Sequence, residues 1–91
     1  MNKQRRNAIS KYMTELEEIQ SKLNDIKENI ESVRDEEDES YSALPEGIQY
    51  SERGDIMQEC IDGLDDAIGQ IEDIASNIDD INDVLQDVID K

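Results

Sequence analysis

The sequence lacks histidine, phenylalanine and tryptophan, and its 91 residues include only one proline, one cysteine and three tyrosines. A chain of this length without bulky aromatic side chains has little with which to fill a globular core, which argues against a deep enclosed active site. Without histidine, and with its carboxylates expected on exposed helix surfaces, general acid–base catalysis has no candidate residue. We therefore predict that the protein is not an enzyme.

The single cysteine, Cys60, cannot form a disulfide within the chain, which fits a reducing cytoplasm. It falls among apolar positions, so we expect it to be buried as a small hydrophobic side chain. No apolar stretch is long enough to span a membrane, and the first residues lack the apolar run of a signal peptide. These features predict a cytoplasmic protein.

The acidic residues do not form a pattern that predicts a metal or cofactor site. The inward helical positions are Ile, Leu, Val and Ala, and the Glu-x-x-His motif of di-iron bundles requires a histidine. The segment 62–66 (DGLDD) has its glycine in the wrong place for a calcium-binding EF-hand loop. We therefore predict no metal and no cofactor.

Apolar residues in the first half of the chain alternate spacings of three and four, which is typical of a helical heptad seam. They are Ile9, Tyr12, Leu16, Ile19, Leu23, Ile26, Ile30 and Val33. The next seam positions are Glu37 and Ser40, so we expect tight packing to fade there. The only proline, Pro45, marks a connection. The pattern predicts one all-α domain: a helix at about 3–42, a loop at about 43–51 and a helix at about 52–90.

The second half repeats the seam and adds a second apolar column beside it. The seam residues are Met57, Ile61, Leu64, Ile68, Ile71, Ala75, Ile78, Leu85 and Ile89, with the polar Asn82 at one position. The added column recurs every seven residues and consists of Cys60, Ala67, Ile74, Ile81 and Val88. We call it the Cys60 column and predict that it is an oligomer interface.

The short connection predicts that the two helices form a long antiparallel hairpin resembling a coiled coil. Two such rods cannot enclose a core alone, and an exposed apolar column favours self-association. We therefore expect a homodimer that forms a four-helix bundle, with two copies of the second helix packed at its centre. Asn82 either sets the register of this packing or is a solvated residue near a fraying end.

Acidic residues outnumber basic ones by 25 to 9, which gives a formal charge of −16 and disfavours direct binding to nucleic acid or anionic membranes. No lysine or arginine occurs between Gly54 and Asp90, and the acids there recur regularly on the outside of the second helix. This pattern predicts a surface for a basic protein partner, or else a face that only keeps the protein soluble. The candidate partner-binding residues are Asp62, Asp65, Asp66, Glu72, Asp73, Asp79, Asp80 and Asp87.

The basic residues Lys3, Arg5, Arg6 and Lys11 cluster at the start of the chain. In an antiparallel hairpin they lie near the acidic end of the second helix, where we expect them to offset its charge. The alternative is a nucleic-acid contact, which the rest of the molecule would oppose.

Several segments resemble a family of short, uncharacterised helical proteins that are carried by phages and mobile elements of Firmicutes. The similar segments are 1–6 (MNKQRR), 34–37 (RDEE), 44–49 (LPEGIQ), 51–54 (SERG) and 57–59 (MQE). The resemblance implies a phage origin and hence a location in the host cell cytoplasm, and it brings no catalytic residues. Small acidic phage proteins often inhibit host defence nucleases. Together with the acids of the second helix, this leads to the expectation of an inhibitor, such as an anti-CRISPR protein, that mimics nucleic acid. The alternative is a structural module for oligomerisation or assembly with no inhibitory role.

Overall fold

The computed structural model describes all 91 residues and contains helices and no strand, which confirms the predicted all-α class. Helix α1 comprises Lys3–Ser42, the one-turn helix α2 comprises Glu46–Gln49, and helix α3 comprises Glu52–Asp90. At the start of α1 the side chain of Asn2 accepts a hydrogen bond of 2.9 Å from the backbone N–H of Arg5, which satisfies one of the free donors of the first turn. The helix ends just before the Leu44-Pro45 step, where proline disfavours a helical conformation in the residue before it.

The two long helices pack against each other in antiparallel orientation. The Asn82 side-chain amide donates a hydrogen bond of 3.3 Å to the Met13 carbonyl, the Gln20 amide donates to the Ala75 carbonyl at 2.7 Å, and Arg34 pairs with Asp65. Contacts later in α1 thus fall earlier in α3. The result is a rod measuring 69 × 15 × 13 Å. None of its helices is apolar over a length sufficient to cross a membrane.

The connection between the long helices contains a turn of helix, α2, where the sequence predicted only a loop. The side-chain amide of Gln49 donates to the carbonyls of Tyr41, Ser42 and Leu44 at 3.1, 3.4 and 3.2 Å. Tyr41 and Ser42 belong to the last turn of α1 and Leu44 to the connection, so Gln49 ties the end of α1 to the connection and holds α2 in place.

Gly54 fixes the connection from the other side, because it is buried in the first turn of α3 against the backbone of α2. A Cβ atom at this position would overlap the carbonyl oxygen of Gln49 and lie 2.8 Å from that of Ile48. Only glycine therefore allows this close approach.

The face of α3 that contacts α1 is the predicted seam, and its buried apolar residues are Ile61, Ile68 and Ile78. Asn82 lies on the same face, where its carbonyl oxygen is buried without a hydrogen-bond partner. Close packing of the hairpin thus depends mainly on isoleucine side chains from α3.

In α1 only half of the predicted seam faces α3. Ile9, Leu16, Leu23 and Ile30 are partly buried there, but the other half remains 38–57% exposed. The exposed half consists of Tyr12, Ile19, Ile26 and Val33, which we call the Tyr12 column. The apolar face of α1 is wider than one neighbouring helix can cover, so the hairpin leaves one edge of it open.

Three polar residues, Gln20, Lys27 and Arg34, take the seam positions that the Tyr12 column was predicted to fill. Their long side chains can lay apolar stems against α3 while the polar ends reach outward. Each of them bonds to an acidic residue of α3. Polar partners on α3 therefore decide which edge of the α1 face turns inward.

Candidate functional site

All eight candidate partner-binding carboxylates are exposed, but the structure divides them into two groups. Asp65, Glu72 and Asp79 lie on the flank of α3 beside α1. Arg34 Nη1 lies 2.9 Å from Asp65 Oδ1, Lys27 Nζ lies 3.7 Å from Glu72 Oε1, and Gln20 Nε2 donates to Asp79 Oδ1 at 2.8 Å. These three acids therefore help to join the helices.

The hydrogen bond from Arg34 to Asp65, and secondly that to Asp35, raises the pKa of the Arg34 side chain above its ordinary value. The shift reflects the preference of these two carboxylates for the charged guanidinium, which is protonated at physiological pH in any case. Its partner Asp65 is half exposed, with 52% of its side chain accessible, so water weakens the attraction between them. The Arg34–Asp65 ion pair therefore helps to orient α1 against α3 but contributes little to the free energy of unfolding.

The other five candidate acids, Asp62, Asp66, Asp73, Asp80 and Asp87, point away from α1 and form no ion pair. Asp66, Asp73, Asp80 and Asp87 recur every seven residues, which we call the Asp66 column. At 1.5 Å per residue their spacing along the rod is about 10.5 Å. This column is the part of the acidic surface whose charge is free to meet a partner.

Carboxylates are spread along the exposed surface of α3 between residues 55 and 90. Its carboxylates are Asp55, Glu59, Asp62, Asp65, Asp66, Glu72, Asp73, Asp79, Asp80, Asp83, Asp87 and Asp90. They cover about 53 Å of helix, which corresponds to roughly one carboxylate per 4.4 Å. Only Lys27 and Arg34 of α1 form ion pairs with them.

The basic residues at the start of α1 form no ion pair with the acidic end of α3. Every ion pair in the structure involves Lys27 or Arg34. Lys3, Arg5 and Lys11 are exposed, and the Nε atom of Arg6 is buried without a hydrogen-bond partner. The expected compensation at this end is therefore at most a long-range attraction through water.

The Cys60 column runs along the edge of α3, with Cys60, Ile74 and Ile81 exposed and Ala67 and Val88 partly buried. The expectation that Cys60 is buried is wrong for the hairpin, because the column lies beside the α1 contact and no other part of the chain covers it. Burial of this column would require a further partner.

The Tyr12 and Cys60 columns lie on the same side of the hairpin. On α3 the Cys60 column and the acids at 65, 72 and 79 flank the seam on opposite sides. On α1 the Tyr12 column and the polar residues at 20, 27 and 34 likewise flank the seam on opposite sides. The polar residues of α1 bond to those acids of α3, so both groups lie on one side of the hairpin. The two apolar columns therefore lie together on the opposite side.

A further column on α3, absent from the sequence-based expectations, adjoins the Cys60 column and contains Ile56 and Val84, the latter 62% exposed. Its members are Ile56, Gly63, Gln70, Asn77 and Val84, which we call the Ile56 column. With the Cys60 column it forms ten positions that alternate spacings of four and three and include no charged residue. We call these ten positions the second seam of α3. The absence of charge from one face of so acidic a helix is a signal that the sequence itself contains.

The molecule is thus an acidic, rod-shaped helical hairpin with a carboxylate surface on one part of α3 and an uncharged, partly apolar surface on another. The structure contains no pocket, and no group of three or more acidic or cysteine side chains is arranged to hold a metal ion. Comparisons with protein-family models, curated proteins and solved structures found no match. Function is therefore inferred from the two surfaces.

Proposed function

We propose that this chain is a phage or mobile-element protein that acts in the host cytoplasm by inhibiting a basic, nucleic-acid-handling host protein. A CRISPR nuclease is the most specific candidate for that partner. The observation that supports this proposal is the Asp66 column, a regular row of outward carboxylates without ion pairs on a helix that lacks basic residues between Gly54 and Asp90.

The physical basis of inhibition is competition for a positively charged groove. A protein groove that binds nucleic acid recognises closely spaced negative charges along a backbone, largely independently of sequence. The straight rod is narrow enough, at 15 × 13 Å between its backbone extremes, to enter such a groove lengthwise. Its carboxylates then occupy the place of phosphates, and the attraction weakens as salt screens it.

The same proposal includes a homodimer in which two hairpins form a four-helix bundle. A dimer covers the apolar columns and leaves the Asp66 column on the outside, so assembly and partner binding use different surfaces. The two activities can therefore be separated by substitution.

A second candidate function is a structural module for assembly, whose charge only maintains solubility. The exposed Tyr12 and Cys60 columns favour this alternative, because apolar surface of this extent is typical of an interaction site. It differs from the first proposal in that neutralising the acids would leave its function intact.

The proposal is tested by replacing Asp66, Asp73, Asp80 and Asp87 with asparagine. These acids do not bond to α1, so the hairpin should keep its helicity. The immobilised protein is used to capture proteins from a bacterial lysate, and inhibition of DNA cleavage by purified CRISPR nucleases is measured in parallel. The expected result is capture of nucleic-acid-binding proteins at low salt, their release by added duplex DNA, and loss of both capture and inhibition in the variant.

A matched control removes four charges from exposed positions of α1. It replaces Glu15, Glu18, Asp25 and Glu28 with their amides, which changes the net charge by the same amount as the test variant. Equal losses in both variants would show that net charge alone acts, and no loss in either would favour the assembly module.

A further inference from the structure

We propose that the second seam of α3 binds the second seam of another copy of this chain. The two α3 helices are antiparallel and are related by a two-fold axis that crosses them at the level of residue 72. This inference rests on the proposed homodimer and deepens it by assigning the full contact face of α3, the orientation of the two helices and the point of closest approach.

The area of the uncharged surface matches what a stable dimer requires. The second seam extends from Ile56 to Val88, which is about 48 Å of helix. Beside it the Tyr12 column extends along about 32 Å of α1, and each column takes about half of the 15 Å width of the hairpin. Stable interfaces bury about 1,200–2,000 Å² in total, and this surface offers roughly 600 Å² per copy, hence roughly 1,200 Å² in a pair, at the lower end of that range.

The distribution of side-chain size along the second seam is self-complementary in the antiparallel orientation. Its three small residues, Cys60, Gly63 and Ala67, all lie in the half near the connection. Around an axis at the level of Glu72, Cys60 lies opposite Val84 of the second copy, Gly63 opposite Ile81 and Ala67 opposite Asn77. Three of the five pairs thus match a small side chain with a larger one, as knobs-into-holes packing requires, while Ile56 lies opposite Val88 and Gln70 opposite Ile74.

Gly63 is explained by this contact and by nothing within the hairpin. A Cβ at Gly63 would meet no atom within 4 Å, whereas one at Gly54 would overlap the backbone of α2. Glycine weakens the middle of a helix relative to alanine. Gly63 differs from the equally unobstructed Gly69 because it lies within the second seam, and this position points to a requirement from outside the chain. An isoleucine of a second copy packed over Gly63 supplies that requirement.

This arrangement also increases the density of the acidic surface. The antiparallel pair brings the Asp66 columns of both copies to the same edge of the bundle, where two α3 helices lie about 8–10 Å apart. Counted over all twelve α3 carboxylates of each copy, ion-paired ones included, the two helices carry roughly one carboxylate per 2.2 Å of rod, against one charge per 1.7 Å of duplex DNA. Because these like charges repel, added salt should strengthen the dimer while it weakens binding to a basic partner.

The close contact is tested with Gly63→Ala and the matched control Gly69→Ala. A Cβ at either position is unobstructed within the hairpin, but Gly69 lies outside the second seam. Sedimentation equilibrium should give a dimer Kd raised about tenfold by Gly63→Ala and unchanged by Gly69→Ala, with helicity retained in both. Equal Kd values for the two variants, or a wild-type protein that stays monomeric at 100 µM, a concentration of about 1 mg/mL for this 10.4 kDa chain, would overturn the proposal.

The orientation is tested by cross-linking with a short bismaleimide. In the antiparallel pair the native Cys60 thiols are about 36 Å apart along the rod and should not cross-link, whereas the Cys60→Ser/Asp73→Cys variant places thiols near the axis and should. Efficient cross-linking of native Cys60 instead would refute the antiparallel arrangement. Failure of the dimeric wild-type protein to capture any nucleic-acid-binding protein would contradict the proposed mimicry alone, and a monomeric wild-type protein that still captures such a partner would contradict the interface alone.

Discussion

Replacing Gly54 with alanine should destabilise the hairpin, although the same replacement is favourable in most helices. Alanine is favoured over glycine by about 0.8–1.0 kcal/mol inside a helix. At Gly54 the added Cβ overlaps the Gln49 carbonyl and pushes α2 away from α3. Overpacking of this kind costs about 1–3 kcal/mol. Displacement of Gln49 also weakens its hydrogen bonds to the end of α1, each worth about 0.5–1.5 kcal/mol.

The overpacking and the weakened hydrogen bonds outweigh the gain in helix propensity and leave a net loss of roughly 1–3 kcal/mol for Gly54→Ala. The control is Gly69→Ala, at a position where a Cβ meets nothing within 4 Å, and it should gain about 0.8–1.0 kcal/mol. Urea unfolding followed by circular dichroism, at one protein concentration for all variants, measures both free energies. An unfolding free energy for Gly54→Ala equal to or above that of the wild type would refute the close contact between α2 and α3.

Two further predictions concern the polar contacts between the long helices. Asp65→Asn should lower the urea midpoint slightly because it removes the ion pair with Arg34, whereas Asp66→Asn should leave the midpoint unchanged or slightly raised. Equal urea midpoints for the two variants would contradict a role for Asp65 in joining the helices. Asn82→Leu should raise the unfolding free energy by about 1–2 kcal/mol, since it removes a buried, unpartnered carbonyl oxygen at the cost of one hydrogen bond to Met13. If Asn82 also sets the register, light scattering of that variant should show mixed oligomers, while a single unchanged species would leave the residue with a local role only.

The sequence predicted the all-helical class and the packing of two long helices because the spacing of apolar residues depends directly on helix geometry. It also identified which face of α3 meets α1. Ile61, Ile68 and Ile78 form an apolar stripe that is bordered on one side by acidic residues, so the buried face cannot extend in that direction. The prediction for α1 was half wrong, because its apolar face has two possible inward edges. Periodicity within α1 alone could not distinguish them, as the choice depends on the acids that α3 offers to Lys27 and Arg34.

The connection and the candidate site were predictable to different degrees. The helical turn α2 was missed because its stability comes from the Gln49 side chain and the fit against Gly54, which are tertiary contacts and leave no periodic signal. The acids on the outside of α3 followed from their spacing, but their division into paired and unpaired residues required the position of α1. The second seam was missed although its uncharged positions are visible in the sequence, because Gly63, Gln70 and Asn77 are not apolar.

The two ends of the rod differ in how firmly they are held, and this sets the direction in which the hairpin opens. At the connection, Gln49 and Gly54 hold the chain through backbone contacts, and the ion pairs of Arg34 and Lys27 follow within the next few turns. Beyond Asn82 no hydrogen bond or ion pair joins α3 to α1, so only Leu85 and Ile89 remain to hold the chain ends together. Thermal fraying should therefore begin at the termini and progress toward the connection. Refolding should proceed in the reverse direction, with contacts near the connection forming first, because the residues there are separated by the shortest loop.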